Sequence, residues 1–186
     1  MLRFQRIQIT SILIITKTGG DTMENRQGIV ICGFPGTGKR YAIERMKDMC
    51  KIVYLDETEF KWIGTILKDF GLRYPKVYVN QIKKLQKTHD FILVPSDREI
   101  RDILKAYKID YQIVYPDISL KNEYVGRAYL NNYNKEYIDH LVKNWDAIIR
   151  NCMTDPCSVK KELTQHEYIG NYLMELMAER DMNEKA

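Results

Sequence analysis

Ile29-Val30-Ile31-Cys32-Gly33-Phe34-Pro35-Gly36-Thr37-Gly38-Lys39-Arg40-Tyr41 is the stretch on which the fold turns. Four apolar residues in a row, closed by a glycine, read as a strand buried on both faces. The next seven, Gly33 to Lys39, fit the phosphate-binding loop G-x-x-x-x-G-K. Glycines let the backbone fold tightly, so that successive N–H groups of Gly33, Pro35-flanked Gly36, Thr37 and Gly38 line a cradle for phosphate oxygens. The helix that follows points its positive end at the same spot, and Lys39 adds a full charge. Two glycines and a lysine at this spacing recur by chance in roughly one chain of this size in twenty. Here the match follows a buried strand and opens a helix, which is the context the chemistry requires.

Outward from the loop, apolar runs alternate with helical periodicity, the pattern of an α/β domain built from βαβ units. Strands are expected at Ile52-Val53-Tyr54-Leu55, Phe91-Ile92-Leu93-Val94 and Tyr111-Gln112-Ile113-Val114-Tyr115. Helices are expected over 38–49, in two pieces over 58–88, from Ser96 to about Tyr107, over 119–130, over 135–152, and from Thr164 onward. Ser96–Glu99 and Thr164–Glu167 both have the spacing of a capping box. Residues 158–163 have the length of a fifth strand, but Lys160-Lys161-Glu162 argues against one. The architecture is thus a parallel, about five-stranded sheet with helices on both faces. It occupies residues 23–180. Residues 1–22 read as an N-terminal extension, flexible or non-native, because Lys17-Thr18-Gly19-Gly20-Asp21-Thr22 is turn-rich.

The chain has 186 residues, of which 45% are hydrophobic and 29% charged, ordinary for a globular domain. Its net charge of +4 comes without a basic block, so no nucleic-acid partner is expected. No run reaches the ~18–20 apolar residues of a membrane span. The four cysteines are sparse, and Cys152 and Cys157 have no second pair at metal-ligand spacing. No metal site is expected from protein ligands alone, and the chain reads as cytoplasmic with reduced thiols.

Asp56 ends the second strand at the sheet edge where open α/β sheets take ligands. There it serves either Mg²⁺ water and the acceptor, or the N-cap of a helix starting near Thr58. Asp97 and Arg98 follow the third strand, but Asp97 and Arg101 also have i,i+4 ion-pair spacing. Arg127 has Glu123 four residues before it, so it is either a surface ion pair or a cation for a transferring phosphoryl group. Arg73 and Tyr74 are weaker candidates for touching an acceptor. The tyrosines, with Trp62 and Trp145, read as packing residues.

The variant G-x-P-G-x-G-K resembles adenylate kinases and related nucleoside monophosphate kinases. With Asp56-Glu57-Thr58-Glu59-Phe60, and Val114-Tyr115-Pro116-Asp117 leading to Lys121 and Arg127, the chain looks like small P-loop nucleotide kinases of phages and bacteria over residues 28–175. That resemblance implies a P-loop NTPase fold, ATP with Mg²⁺ held mainly through phosphates and water, and nucleotide substrates. It implies transfer of the γ-phosphoryl of ATP to a nucleoside or deoxynucleoside monophosphate. Lys39, Asp56 and Arg127 would be catalytic; Gly33, Pro35, Gly36, Thr37, Gly38, Lys39, Arg40 and Tyr41 would bind nucleotide. The pattern departs at Arg40-Tyr41, where the family commonly has Gly and Thr, and at Asn131-Asn132, where a second arginine is expected. Two other readings stand beside it. One is a P-loop kinase for a nucleoside, sugar or nucleic-acid 5′ end; the other is a catalytically weak protein that keeps nucleotide as a regulatory ligand.

Overall fold

A computed structural model describes residues 27–56, 62–63, 66–67 and 74–183. The N-terminal extension and Arg73 therefore lie outside the described residues, as does the helix start near Thr58. In chain order the elements are β1 (Ile29–Gly33), α1 (Lys39–Met46), β2 (Ile52–Tyr54), β3 (Trp62–Ile63), β4 (Ile66–Leu67), α2 (Tyr74–Leu85), β5 (Phe91–Pro95) and α3 (Arg98–Ala106). There follow β6 (Tyr111–Pro116), a 3₁₀ turn (Ile118–Leu120), α4 (Lys121–Leu130), α5 (Lys135–Met153), β7 (Val159–Leu163) and α6 (Ile169–Asn183).

Five strands form one sheet in the order β2-β5-β1-β6-β7, and every neighbouring pair is parallel. The strand that carries the phosphate loop is central. With that loop at its C-terminal end and helices on both faces, this is the P-loop NTPase fold. Alternation along β1 divides the core: Val30 and Cys32 join α2, α3, α4 and α5 on one face, while Ile31 joins α1 and α6 on the other. Burial on both faces explains why β1 and β5 are continuously apolar.

Four expectations are corrected. Residues 159–163 do form a strand, β7, pairing with β6 from Gln112↔Val159 to Pro116↔Leu163. It lies at the sheet edge and needs only Leu163 in the core; Lys160 is exposed, and Lys161 reaches Glu175 on α6 at 2.9 Å, charges of the kind that blunt an edge. Within the stretch expected to be helical, β3 and β4 instead pair antiparallel, Trp62 with Leu67 and Ile63 with Ile66. Ser96 does not cap α3; Asp97 occupies the N-cap position, its side chain accepts no capping hydrogen bond, and Ser96 is buried. Finally, Thr164 and Glu167 do meet, the Glu167 carboxylate accepting from the Thr164 N–H (2.7 Å) and hydroxyl (2.9 Å). They close a turn at residues 165–166 and do not cap a helix, since α6 begins only at Ile169. No described helix is long and apolar enough to cross a membrane.

Candidate functional site

The phosphate loop leaves β1 with the Phe34 N–H donating to Val114 O (2.9 Å), which carries the ladder one residue past the strand. Gly36 (φ 80°) and Gly38 (φ 86°) both adopt the left-handed region that a side chain disfavours. A Cβ on Gly36 would lie 3.2 Å from the Tyr124 ring, and one on Gly38 would lie 3.0 Å from Tyr168. Thr37 is fully buried and its hydroxyl donates to Phe34 O (2.7 Å), closing the loop on itself. The Ile169 N–H donates to Thr37 O (2.9 Å), so the start of α6 braces the loop from behind.

Lys39 bends back over this frame, its Nζ donating to Gly33 O (2.7 Å) and Phe34 O (3.0 Å). The ammonium also lies 5.5 Å from the Tyr54 ring centre. Burial lowers its pKa from 10.5 to about 8, against the opposing pull of Asp97 first and Asp56 second. Arg40 and Tyr41 are exposed on the first turn of α1. Asp56 is half-buried just past β2, beside the Tyr78 hydroxyl's bond to Leu55 O (3.1 Å).

Arg127 is brought to the loop. Its Nη1 donates to Gly36 O (2.8 Å), while Glu123 accepts from Nη2. The guanidinium lies between two tyrosines, 4.5 Å from the Tyr124 ring centre and 4.3 Å from that of Tyr168. The i,i+4 pair read from the sequence is therefore present and reaches the loop at the same time. Tyr124 itself packs edge-on against Phe34 at 5.8 Å, fixing α4 beside the loop.

Next to Phe34 and Pro35, between the start of α3 and one face of α5, opens a cleft of about 400 Å³. Its polar lining includes Asp97, Arg98, Tyr137, His140 and Asn144. Sequence reasoning gave Asp97 and Arg98 only weak standing and missed the α5 side altogether, since nothing in residues 137–152 beyond helical periodicity marks a site. It also misassigned Arg101. Instead of an exposed partner for Asp97, Arg101 is buried and pairs with Asp155, also buried. Its Nε donates to Ser96 O (2.9 Å) and its Nη2 to the Asn151 side chain. Burial alone would raise the Asp155 pKa, but hydrogen bonds from the Tyr111 hydroxyl, the Cys157 N–H and Arg101 hold it below the usual value. This buried set ties β6 and the C-terminal end of α5 to the floor of the cleft. Arg98 makes the exposed i,i+4 pair instead, with Asp102 at 3.6 Å. Tyr74 is buried against Tyr78 rather than presented to a ligand.

A magnesium ion needs oxygen ligands, and the position after Lys39 offers a guanidinium where many phosphate loops have a hydroxyl. The Thr37 hydroxyl is spent on Phe34 O, and no cluster of three acidic, histidine or cysteine groups is found among the described residues. Two carboxylates, Asp97 and Asp56, are close enough to influence Lys39. That donor set fits an ion bound mainly by phosphate oxygens and water, with a carboxylate at its hydration shell.

No family model matches the sequence, and no curated protein matches it. Among solved structures, the chain is similar to a sugar kinase from Janibacter, with 14% identity, 82% of this chain and 92% of that one covered, and a TM-score of 0.49. It is similar to a shikimate kinase from Acinetobacter baumannii, solved with shikimate (16% identity, 85% and 96% covered, TM-score 0.47). A gluconokinase from Sinorhizobium meliloti gives 12% identity, 82% and 90% covered, and a TM-score of 0.47. The fold is defined by the strand order and the loop rather than by these likenesses.

Proposed function

We propose that this chain is an ATP-dependent phosphotransferase that moves the γ-phosphoryl of ATP to a small acceptor seated in the cleft between α3 and α5. One observation carries the reading. Phe34 and Pro35 belong to the phosphate loop and also line the cleft, so donor phosphates and a molecule in the cleft would be neighbours. In the transfer, the bond from the γ-phosphorus to the β–γ bridging oxygen breaks. A bond to an acceptor oxygen forms, and that oxygen gives up its proton; ADP leaves.

The backbone N–H groups of Gly36 to Arg40 would hold the donor phosphates, and Lys39 would leave Gly33 O and Phe34 O for them. Arg127, bonded to Gly36 O at 2.8 Å, would offset charge on the moving phosphoryl group once that contact is exchanged. Asp56 would hold a water of the metal. Bound Mg²⁺ would supply neutralisation of the phosphate charges. A nucleoside monophosphate, as the resemblance implies, and a nucleoside or sugar are all small enough for a cleft of this volume.

The test is ADP formation with ATP and Mg²⁺ across nucleoside monophosphates, nucleosides and sugars, with Lys39→Ala beside the natural chain. Turnover with one acceptor, lost in Lys39→Ala, is the expected result. ATP-dependent thermal stabilisation without turnover for any acceptor would favour the regulatory nucleotide-binding reading instead.

A further inference from the structure

A phenol hydroxyl buried without a partner forfeits its hydrogen bonds to water and gains none in return. Tyr78, Tyr111 and Tyr172 avoid this: they donate to Leu55 O (3.1 Å), the Asp155 carboxylate (2.7 Å) and the Gln112 side chain (2.9 Å). Tyr124 on α4 is different. It is 2% exposed, and its hydroxyl has no hydrogen-bond partner among the described residues. Packing accounts for the ring, whose centre lies 5.8 Å from those of both Phe34 and Trp145. A phenylalanine would pack the same way, so the hydroxyl is left to explain.

Its place is the phosphate loop. A Cβ on Gly36 would lie 3.2 Å from Tyr124 Cδ1 and 3.5 Å from Cε1. Cε1 is bonded to the carbon that carries the hydroxyl, so the O–H is on the part of the ring that flanks the loop. The Arg127 guanidinium covers the ring face, 4.5 Å from its centre, but directs Nη1 to Gly36 O (2.8 Å) and Nη2 to Glu123. Burial pushes the hydroxyl's pKa up to about 12, with Arg127 pulling the other way, so at neutral pH it keeps its proton and is a donor. The acceptors of the loop are already taken. Lys39 holds Gly33 O and Phe34 O, the Thr37 hydroxyl also holds Phe34 O, and Arg127 holds Gly36 O. What is missing beside Tyr124 is an acceptor, and the oxygens of an ionised phosphate only accept. The exchange that turns Arg127 from Gly36 O to a phosphate would also uncover the ring beneath it.

We infer that the Tyr124 hydroxyl is a phosphate-binding donor of the loop, unpaired in the free protein and donating to a phosphate oxygen once a polyphosphate is seated. It would act beside the backbone N–H groups and Lys39, from a helix that the loop motif does not include. The contact is a hydrogen bond, and no proton is transferred. The inference rests on the nucleotide reading of the loop and adds a side chain to it.

The experiment compares Tyr124→Phe with Tyr111→Phe, which removes a hydroxyl that is paired. Both variants and the natural chain are melted without ligand, then titrated calorimetrically with ATP and with tripolyphosphate, each with Mg²⁺. Without ligand, Tyr111→Phe should melt lower. Tyr124→Phe should melt at the natural temperature or above it, because no bond is lost and an unsatisfied group is removed. Tyr124→Phe should bind both ligands about ten-fold more weakly, while Tyr111→Phe stays within about two-fold of the natural chain. Tripolyphosphate carries the phosphates without the nucleoside, so a loss confined to ATP would place the contact on the base or sugar and overturn the inference. A lowered melting temperature for Tyr124→Phe would also overturn it, since the hydroxyl would then have a partner in the free protein. Equal binding by Tyr124→Phe and the natural chain removes this inference alone. A natural chain that binds neither ligand removes the nucleotide reading and this inference with it.

Discussion

The phosphate loop and the α3–α5 cleft share Phe34 and Pro35 yet are built in opposite ways. The loop is seven consecutive residues whose working parts are backbone groups, held by two left-handed glycines and the Thr37 hydroxyl. The cleft is made of side chains from β1's end, α3 and α5, drawn from three separate segments between Phe34 and Cys152. What keeps it in shape is a buried ion pair, Arg101–Asp155, whose arginine lies on the cleft floor. A site made of backbone survives any change that keeps its turns. A site made of distant side chains depends on the packing that delivers them, so the two should fail separately.

The largest separation is expected from Arg101→Met. It leaves the buried Asp155 with only Lys105, 3.8 Å away, as a counter-charge, which costs up to about 3–5 kcal/mol of stability. Denaturant unfolding should show that loss, while ADP affinity of the protein still folded stays within about two-fold, because no loop residue touches Arg101. A parallel loss of nucleotide binding would break the comparison. Lys39→Ala is the opposite case: transfer should drop by about 10²–10³-fold, with melting temperature nearly unchanged or raised, since a half-buried ammonium is removed.

Gly36→Ala strikes the loop through its backbone. Forcing a side chain to φ 80° costs about 1–2 kcal/mol, and the added methyl meets Tyr124 at 3.2 Å. ATP-induced thermal stabilisation should disappear while binding in the cleft persists. The contrast is Gly126→Ala in α4, where a Cβ meets nothing within 4 Å; there the helix should gain about 0.5–1 kcal/mol, read as a higher unfolding midpoint.

Changing pH sharpens the comparison without mutation. The Lys39 pKa is lowered from 10.5 to about 8, so between those values the folded state has released a proton that the unfolded chain still holds. Stability from this group therefore rises with pH across that window, while the charge available to phosphate falls. ATP affinity should decline above about pH 8, and calorimetry in buffers of different ionisation enthalpy should show proton uptake on binding. Affinity independent of pH from 7 to 10 would remove Lys39 from phosphate recognition.

Legibility followed the same division. Ile29–Cys32 and Phe91–Val94 could be read because a strand covered on both faces is apolar throughout, and Tyr111–Tyr115 because only Gln112 interrupts its apolar run. β7 was discounted for its lysines, since an edge strand is specified by its partner's open ladder more than by its own side chains. Ser96 looked like a cap because hydroxyls usually cap, but the Arg101 side chain bonds its carbonyl and it is buried, moving the N-cap position to Asp97. Arg127 could be paired with Glu123 from spacing alone, whereas its bond to Gly36 O joins residues 91 apart.

By itself, then, the sequence determined the α/β class, the central strand and the phosphate loop, because each depends on neighbours in the chain: apolar runs, glycine at positive φ, a lysine one turn on. Only the tertiary structure decided the order of the strands, the edge position of β7, the burial of Arg101 against Asp155 and the cleft beside the loop. Those depend on which distant groups meet once the sheet is assembled, and on which charges are then cancelled within the protein and which are left to face a ligand.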